Sequence, residues 1–476
     1  MKSISLLASL TALSALCVAF GCSDKSDGNN GTAGSTSVAG RTSTGGGDAE
    51  AGDTGENGGK TSSGGKTSSG GASSNAGEAG DNSAVAGDTS AGGDKGSADG
   101  TITSCGEGVV IEGDPLYDDD AMPATDGQGV FADPPVRNQA IAVIGNDFYV
   151  ETDQEIWRVD LSVAAAKRKL TRVAGVELDS GGFVNAGVAC ADTTFLSIRD
   201  MAATADGKLV VVDYVANSVI EITNPGTATC KSAWVAGTHV KSPDPGANFP
   251  VTYGDVDGPG ASALFGGGKG AGIQKVAVDP DGNIYTFDNG TGKFKQIATD
   301  ADRTVSTIGQ GLADDTINGL TFLNGKLYAV GVDGTNDLLL EIDPAKYKVA
   351  TPKANVKEIY RVRDHFDDVP TGHQAITTQV VNDGEALIIS GQAGYVWRVG
   401  TDGTVLATLA GTGTHLEFST NFDPTVAHAA KDWELYNSIS NSKGGPWLAL
   451  SDGKLYWSGG EGASNPAQYT IQFSCQ

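Results

Sequence analysis

Residues 275–297 read KVAVDPDGNIYTFDNGTGKFKQI, and the pattern within them decides the fold. Val276 and Val278 alternate along one strand, Asp281-Gly282 reverses the chain, and alternation resumes from Ile284 to Phe287 before a small polar loop and a third strand. One such unit cannot bury its own faces, so it has to recur. The scheme returns at residues 139–159, turning at Gly145-Asn146, and at 199–222, turning at Asp206-Gly207. It returns again at 318–342 (Asn324-Gly325), 374–399 (Asp383-Gly384) and 447–473 (Asp452-Gly453), which makes six units.

The order apolar strand, D-x-D-G, N-x-Y strand, D-N loop and final strand resembles NHL-type repeats, which build β-propellers. Asp257-Gly258-Pro259-Gly260 through Leu264-Phe265 resembles the Gly-rich lead-in of that family, and Asp126-Gly127-Gln128-Gly129 to Phe131 echoes it. Blade-closing ends stand at Val173-Ala174-Gly175, Val235-Ala236-Gly237 and Leu409-Ala410-Gly411. The resemblance covers residues 126–476 and implies an all-β, six-bladed β-propeller. Antiparallel four-stranded blades around an axis leave only short, protected edges, which is the physical ground for the same expectation. Ile141, Met201, Val276 and Leu320 fall at equivalent positions 60, 75 and 44 residues apart. Long connections are therefore expected at 241–256, 351–371 and 416–439, with the one hint of helical periodicity at 163–170.

Residues 1–21 precede the fold. Lys2 supplies a charged start, residues 4–20 are apolar apart from Ser and Thr, and Ala19 and Gly21 lead to Cys22, the pattern of a secretory signal. Ala19-Phe20-Gly21-Cys22 resembles a bacterial lipobox, which implies that Cys22 is lipidated and becomes the mature N-terminus. Ser23, not an acid, follows it, which in lipoproteins points to the outer membrane. Residues 22–100 are then a disordered Gly/Ser/Ala-rich stalk: they hold no aromatic residue and repeat GGKTSS at 58–63 and 64–69, so nothing there offsets the entropy of ordering. Such a coil spans about 50 Å. Residues 101–476 form the propeller domain.

Cys105, Cys190, Cys230 and Cys475 remain for an oxidising compartment. Four cysteines allow three pairings. In a propeller, residues 109–111 can complete the blade ending at 469–473, which joins Cys105 to Cys475 and leaves Cys190 with Cys230. The formal charge of −26 argues against nucleic acid as a partner. A monomer is expected.

No nucleophile elbow, P-loop, His-Glu-x-x-His or dinucleotide fingerprint is present. Function is then expected at the channel mouth, where loops into the innermost strands meet loops joining second and third strands. The first set offers Arg199, Asp200, Gln274, Lys275, Asn318, His373 and Gln374 as ligand-binding residues. The second offers Asp153, Asp213, Asp288 and Asp333, a carboxylate ring suited to Ca²⁺; no motif demands any other cofactor. Trp157 and Trp397 occupy matched third-strand positions and are expected to pack between blades, whereas Trp433 is expected as an exposed platform. The reading that follows is an outer-membrane lipoprotein, anchored by its lipid, whose propeller binds a protein or a glycan. The alternative is a divalent-cation-dependent lyase or lactonase of the six-bladed type.

Overall fold

The computed structural model describes residues 102–114, 129–130, 140–152, 154–176, 183–184, 186–239, 241–242, 251–267, 272–311, 315–333, 336–361, 377–391, 394–413, 423, 425–435, 447–459 and 468–476. All of them lie in the compact unit Val85–Gln476. The signal segment, Cys22, the stalk, Asp153, His373 and Gln374 lie outside the described residues.

Strand β1 (Cys105–Asp114) comes first and is used last. Blade 1 follows as β2 (Ile141–Ile144), β3 (Asp147–Thr152), β4 (Glu155–Asp160) and β5 (Leu170–Ala174). After the short β6 (Phe183–Val184), blade 2 is β7 (Ile198–Ala203), β8 (Leu209–Asp213), β9 (Ser218–Thr223) and β10 (Lys231–Gly237). β11 (Lys241–Ser242) pairs with β6. Blade 3 is β12 (Ile273–Val278), β13 (Ile284–Asp288), β14 (Lys293–Ile297) and β15 (Val305–Gln310), and blade 4 is β16 (Asp315–Leu323), β17 (Lys326–Asp333), β18 (Asn336–Ile342) and β19 (Val356–Arg361). Blade 5 is β20 (Thr377–Asn382), β21 (Leu387–Gly391), β22 (Tyr395–Val399) and β23 (Val405–Ala410). The two-residue β24 (His428–Ala429) precedes blade 6, which is β25 (Trp447–Ser451), β26 (Lys454–Ser458) and β27 (Gln468–Cys475). Each blade is antiparallel in chain order, and blade 6 takes its fourth strand from β1. The protein is a six-bladed β-propeller.

Ring closure follows from that loan. Val109 faces Gln472 and Val110 faces Ile471, and Cys105, opposite Cys475, is bonded to it. Cys190 is bonded to Cys230 beside blade 2. The first strands β2, β7, β12, β16, β20 and β25 touch one another in that order and back to β2. The core sits between blades: one cluster joins blades 2 and 3, others join 3 with 4, 4 with 5 and 5 with 6, and the last spans 6, 1 and 2.

Turn chemistry explains the register. Asn324-Gly325 joins Leu323 to its partner Lys326 in a two-residue hairpin, and both turn residues hold positive φ (51° and 80°), the backbone that matches strand twist. In blade 3 the first Asp of D-x-D-G does the organising: Asp279 accepts the N–H groups of Asp281 (2.9 Å) and Asn283 (2.8 Å) and the Tyr285 hydroxyl (2.9 Å). The blade-closing glycines Gly175, Gly237 and Gly411 all have positive φ, and an added Cβ would fall within 2.4 Å of a backbone oxygen at each.

Three expectations change. Within the long connection expected at 351–371, residues 356–361 form β19, the fourth strand of blade 4. Residues 165–167 form a single 3-10 turn rather than a longer helix, because Leu170 is already in strand. Trp433 is fully buried, not an exposed platform. Its indole N–H donates to the Gly108 carbonyl at 3.1 Å and its ring meets Phe473 edge-on, so this connection packs under the closing strand. Trp157 and Trp397 are buried as expected.

Candidate functional site

Inner-strand residues from all six blades surround the axis: Ile141, Met201, Val276, Leu320, Val380 and Leu448 line a cavity of about 40 Å³. A water needs some 10–15 Å³ of such space, so this cavity has room for a few waters. Asp200 and Gln379 also line it, and further polar groups stand where the inner strands begin.

Four of those strands carry a β-bulge at the same place. The register slips between Ile198 and Asp200, Ile273 and Lys275, Ile317 and Gly319, and Thr377 and Gln379. Arg199, Gln274, Asn318 and Thr378 are thus the extra residues, and bulges of this kind re-aim the side chains beside them. Sequence reasoning picked the first three. In blade 5 it picked His373 and Gln374, which lie outside the described residues, whereas the equivalent positions belong to Thr378 and Gln379.

The residues after the bulges are buried. Asp200 accepts the N–H of Met201 (3.1 Å) and of Val276 in the next blade (3.0 Å), stitching blades 2 and 3 together. Gln379 makes the first of these bonds in its own strand, to Val380 N–H at 3.3 Å. Blade 4 has Gly319 here, and a Cβ on it would lie 2.2 Å from Gln379 Oε1. Lys275 is 4% exposed, and among the described residues no hydrogen bond or ion pair reaches its ammonium. Burial pushes the Lys275 pKa down; Asp200 opposes that and Arg199 adds to it. Burial likewise pushes Asp200 up, against the charge of Lys275 and its two N–H bonds. Arg199 lies over the Tyr214 ring, 5.0 Å from its centroid.

The acids expected to ring a cation are used differently. Asp213 accepts N–H groups from Leu196 (2.8 Å), Ser197 (3.1 Å) and Ala216 (3.0 Å). Asp288 accepts from Gly266 (3.0 and 2.9 Å) and Gly290 (3.0 Å). Each ties the loop after its second strand to the loop before its first. Burial raises both pKa values against these bonds. Asp333 ends β17 opposite Asp315. Among the described residues, no three His, Cys, Asp or Glu side chains gather where they could hold a metal.

One charged group was missed entirely. Lys295, with a fully buried side chain, meets Asp255 at 2.8 Å, Asp257 at 2.6 Å and the Thr307 hydroxyl at 2.9 Å, and Lys293 also pairs with Asp255. The lead-in segment is thereby clamped to blade 3. Its signal was present in the alternating Lys293 and Lys295 and the alternating Asp255 and Asp257.

The sequence matches no family model, and no curated protein matches it. Its fold is similar to those of several solved propellers. An auxiliary nutrient binding protein from Bacteroides ovatus is 12% identical, with 79% of this chain and 78% of that one covered and a TM-score of 0.46. A streptogramin B lyase is 11% identical over 76% of this chain and 98% of its own, with a TM-score of 0.38. The PQQ-bound aldose sugar dehydrogenase from Streptomyces coelicolor is 12% identical over 78% and 98%, also at 0.38. Likeness at this level has no bearing on function. Among the described residues no helix is long and apolar enough to cross a membrane, and the two disulfides fit an oxidising, extracytoplasmic compartment.

Proposed function

We propose that this protein is an outer-membrane lipoprotein whose propeller, held on the stalk 22–100 by lipid at Cys22, binds a protein or glycan ligand at its mouth. The observation that carries the reading is the set of polar side chains that begin the inner strands. Arg199, Asp200, Lys275 and Gln379 stand there, and Asp200 and Gln379 also line the axial cavity of about 40 Å³. Substrate pockets typically measure about 300–1,000 Å³, so recognition at the rim fits better than turnover inside the channel. A cation-dependent lyase or lactonase would need Asp213 and Asp288 to give up backbone bonds. A melting temperature raised by Ca²⁺ over chelator, and no longer raised in Asp288→Asn, would favour it.

The test is a panel of oligosaccharides and peptides offered to the protein and to Gln274→Trp, which fills the mouth at a bulge. Binding to a panel member that the substitution abolishes supports the reading; binding that it leaves intact overturns it. For the anchor, Cys22→Ser is expected to move the protein from the membrane fraction to the soluble one.

A further inference from the structure

Arg199 and Lys275 are two cations on neighbouring inner strands, and neither finds an acceptor for its full set of donors among the described residues. Among the described residues, Arg199 Nε and Nη1 are buried without a hydrogen-bond acceptor, and the Lys275 ammonium, on a residue 4% exposed, has none either. A buried donor left unsatisfied costs about 1–3 kcal/mol, more when charged, and native proteins keep few of them. Here two cations stand on neighbouring inner strands, each adding to the other's cost. Asp200 follows Arg199 and reaches the backbone beside Lys275, yet both of its oxygens are engaged by Met201 and Val276 N–H groups. It forms no direct ion pair with either cation among the described residues. Tyr214 under the guanidinium holds the planar fork in place without satisfying its N–H donors.

We propose that Arg199 and Lys275 form an anion subsite at the mouth that receives a carboxylate of the ligand. This deepens the binding reading above and rests on it. All the unsatisfied groups are donors, so the complement is an acceptor. The guanidinium fork matches a carboxylate in plane and spacing, and the ammonium adds a third donor direction. Charge selects among anions: two cations and one Asp200 carboxylate leave the cluster at net +1, which a monoanion neutralises and a phosphate dianion would overshoot. An acidic protein of net charge −26 thus carries, where the inner strands begin, two positive groups that form no ion pair with a carboxylate among the described residues.

The test is thermal unfolding of the full-length protein at constant ionic strength with four probes: glucuronate beside glucose, and N-acetylglycine beside N-acetylglycinamide. Inorganic phosphate is run as a fifth. A carboxylate probe is expected to raise the melting temperature while its uncharged counterpart does not. Arg199→Gln and Lys275→Met are each expected to weaken the carboxylate about tenfold or more, the size of a lost charge-assisted hydrogen bond. Lys275→Arg, which keeps the charge, is expected to retain most of the affinity, so a folding defect in Lys275→Met would not hide the result. Glucuronate acting alone marks a sugar acid as the source, N-acetylglycine alone a chain terminus, and either supports the subsite. A shift of equal size in the charge-removing variants, no shift with any carboxylate, or a shift with phosphate alone would overturn it. A neutral panel member that binds and is lost in Gln274→Trp would leave mouth binding standing while this subsite fails.

Discussion

Blade 3 buries two lysines, and they live by opposite rules. Lys295 is surrounded by Asp255, Asp257 and the Thr307 hydroxyl. Burial alone would lower its pKa, and the hydrogen bonds and charges of the two aspartates outweigh that and raise it above the ordinary lysine value. Lys275 is as buried, its nearest carboxylate spends its oxygens on backbone N–H groups, and its pKa falls. Burial of a charge is therefore not one phenomenon: where the protein supplies the counter-charge the group clamps a segment down, and where it withholds it the group costs stability and stays available to something else.

The broadest way to break this comparison is to open the ring on which both environments depend. Replacing Cys105 and Cys475 together by Ser frees a closure spanning 370 residues. The expected loss is about 4 kcal/mol, read as a fall of roughly 5 °C in melting temperature for a domain of this size.

Next comes Lys295→Met. It leaves Asp255 and Asp257 facing each other, and because both are partly open to solvent (33% and 44% of the side chain) the loss is expected at about 2 kcal/mol rather than the full cost of an orphaned buried charge. Denaturant unfolding measures it.

Acid then separates the regions by sign. Asp255 and Asp257 are desolvated, but their lysine partners hold both below the ordinary 3.8, so the clamp's contribution is complete above that pH and is lost as pH falls through their folded pKa. Asp200 stands above 3.8 because it is buried, so its unfavourable burial is relieved as pH falls through its folded value toward 3.8. Relative to the unaltered protein, the melting temperature of Asp200→Asn is expected to fall as pH drops toward 3.8, and that of Lys295→Met to recover only below 3.8.

The smallest effect sharpens the contrast most. Lys275→Met is expected to stabilise the protein by about 1 kcal/mol at neutral pH, since it removes a buried charge that lacks a hydrogen bond. The gain should shrink as pH rises from the folded pKa of Lys275 toward 10.5, the ordinary value, because the deprotonated amine no longer carries the cost. Destabilisation instead would mean that Lys275 is held by a partner in the manner of Lys295.

Much of the scaffold was legible because its causes are local. Period-two alternation, Asn-Gly and Asp-Gly turns and glycines closing the blades act over a few residues, and Ile141, Met201, Val276 and Leu320, aligned by pattern alone, do meet around the axis. The cysteine pairing was legible once ring closure was supposed, since it brings β1 to β27. The site was legible only in part. The starts of the inner strands could be located in blades 2, 3 and 4, but blade 5 slipped by five residues because its second-strand acid is replaced by glycine and the repeat lost its marker there.

What the sequence by itself determined is therefore the repeating unit, its six-fold recurrence and the residues that begin the inner strands of blades 2, 3 and 4, all of them set by short-range backbone sterics and alternation. Only the tertiary structure decided which charges were satisfied. Asp213 and Asp288 look in sequence like metal ligands and are spent on backbone N–H groups of loops 16 and 22 residues away. Lys295 looks like any surface lysine and finds two aspartates about 40 residues upstream. Lys275 looks the same and finds no acceptor. A side chain's partner depends on distances across the fold that no local pattern encodes, and electrostatic cost depends on that partner more than on the residue itself.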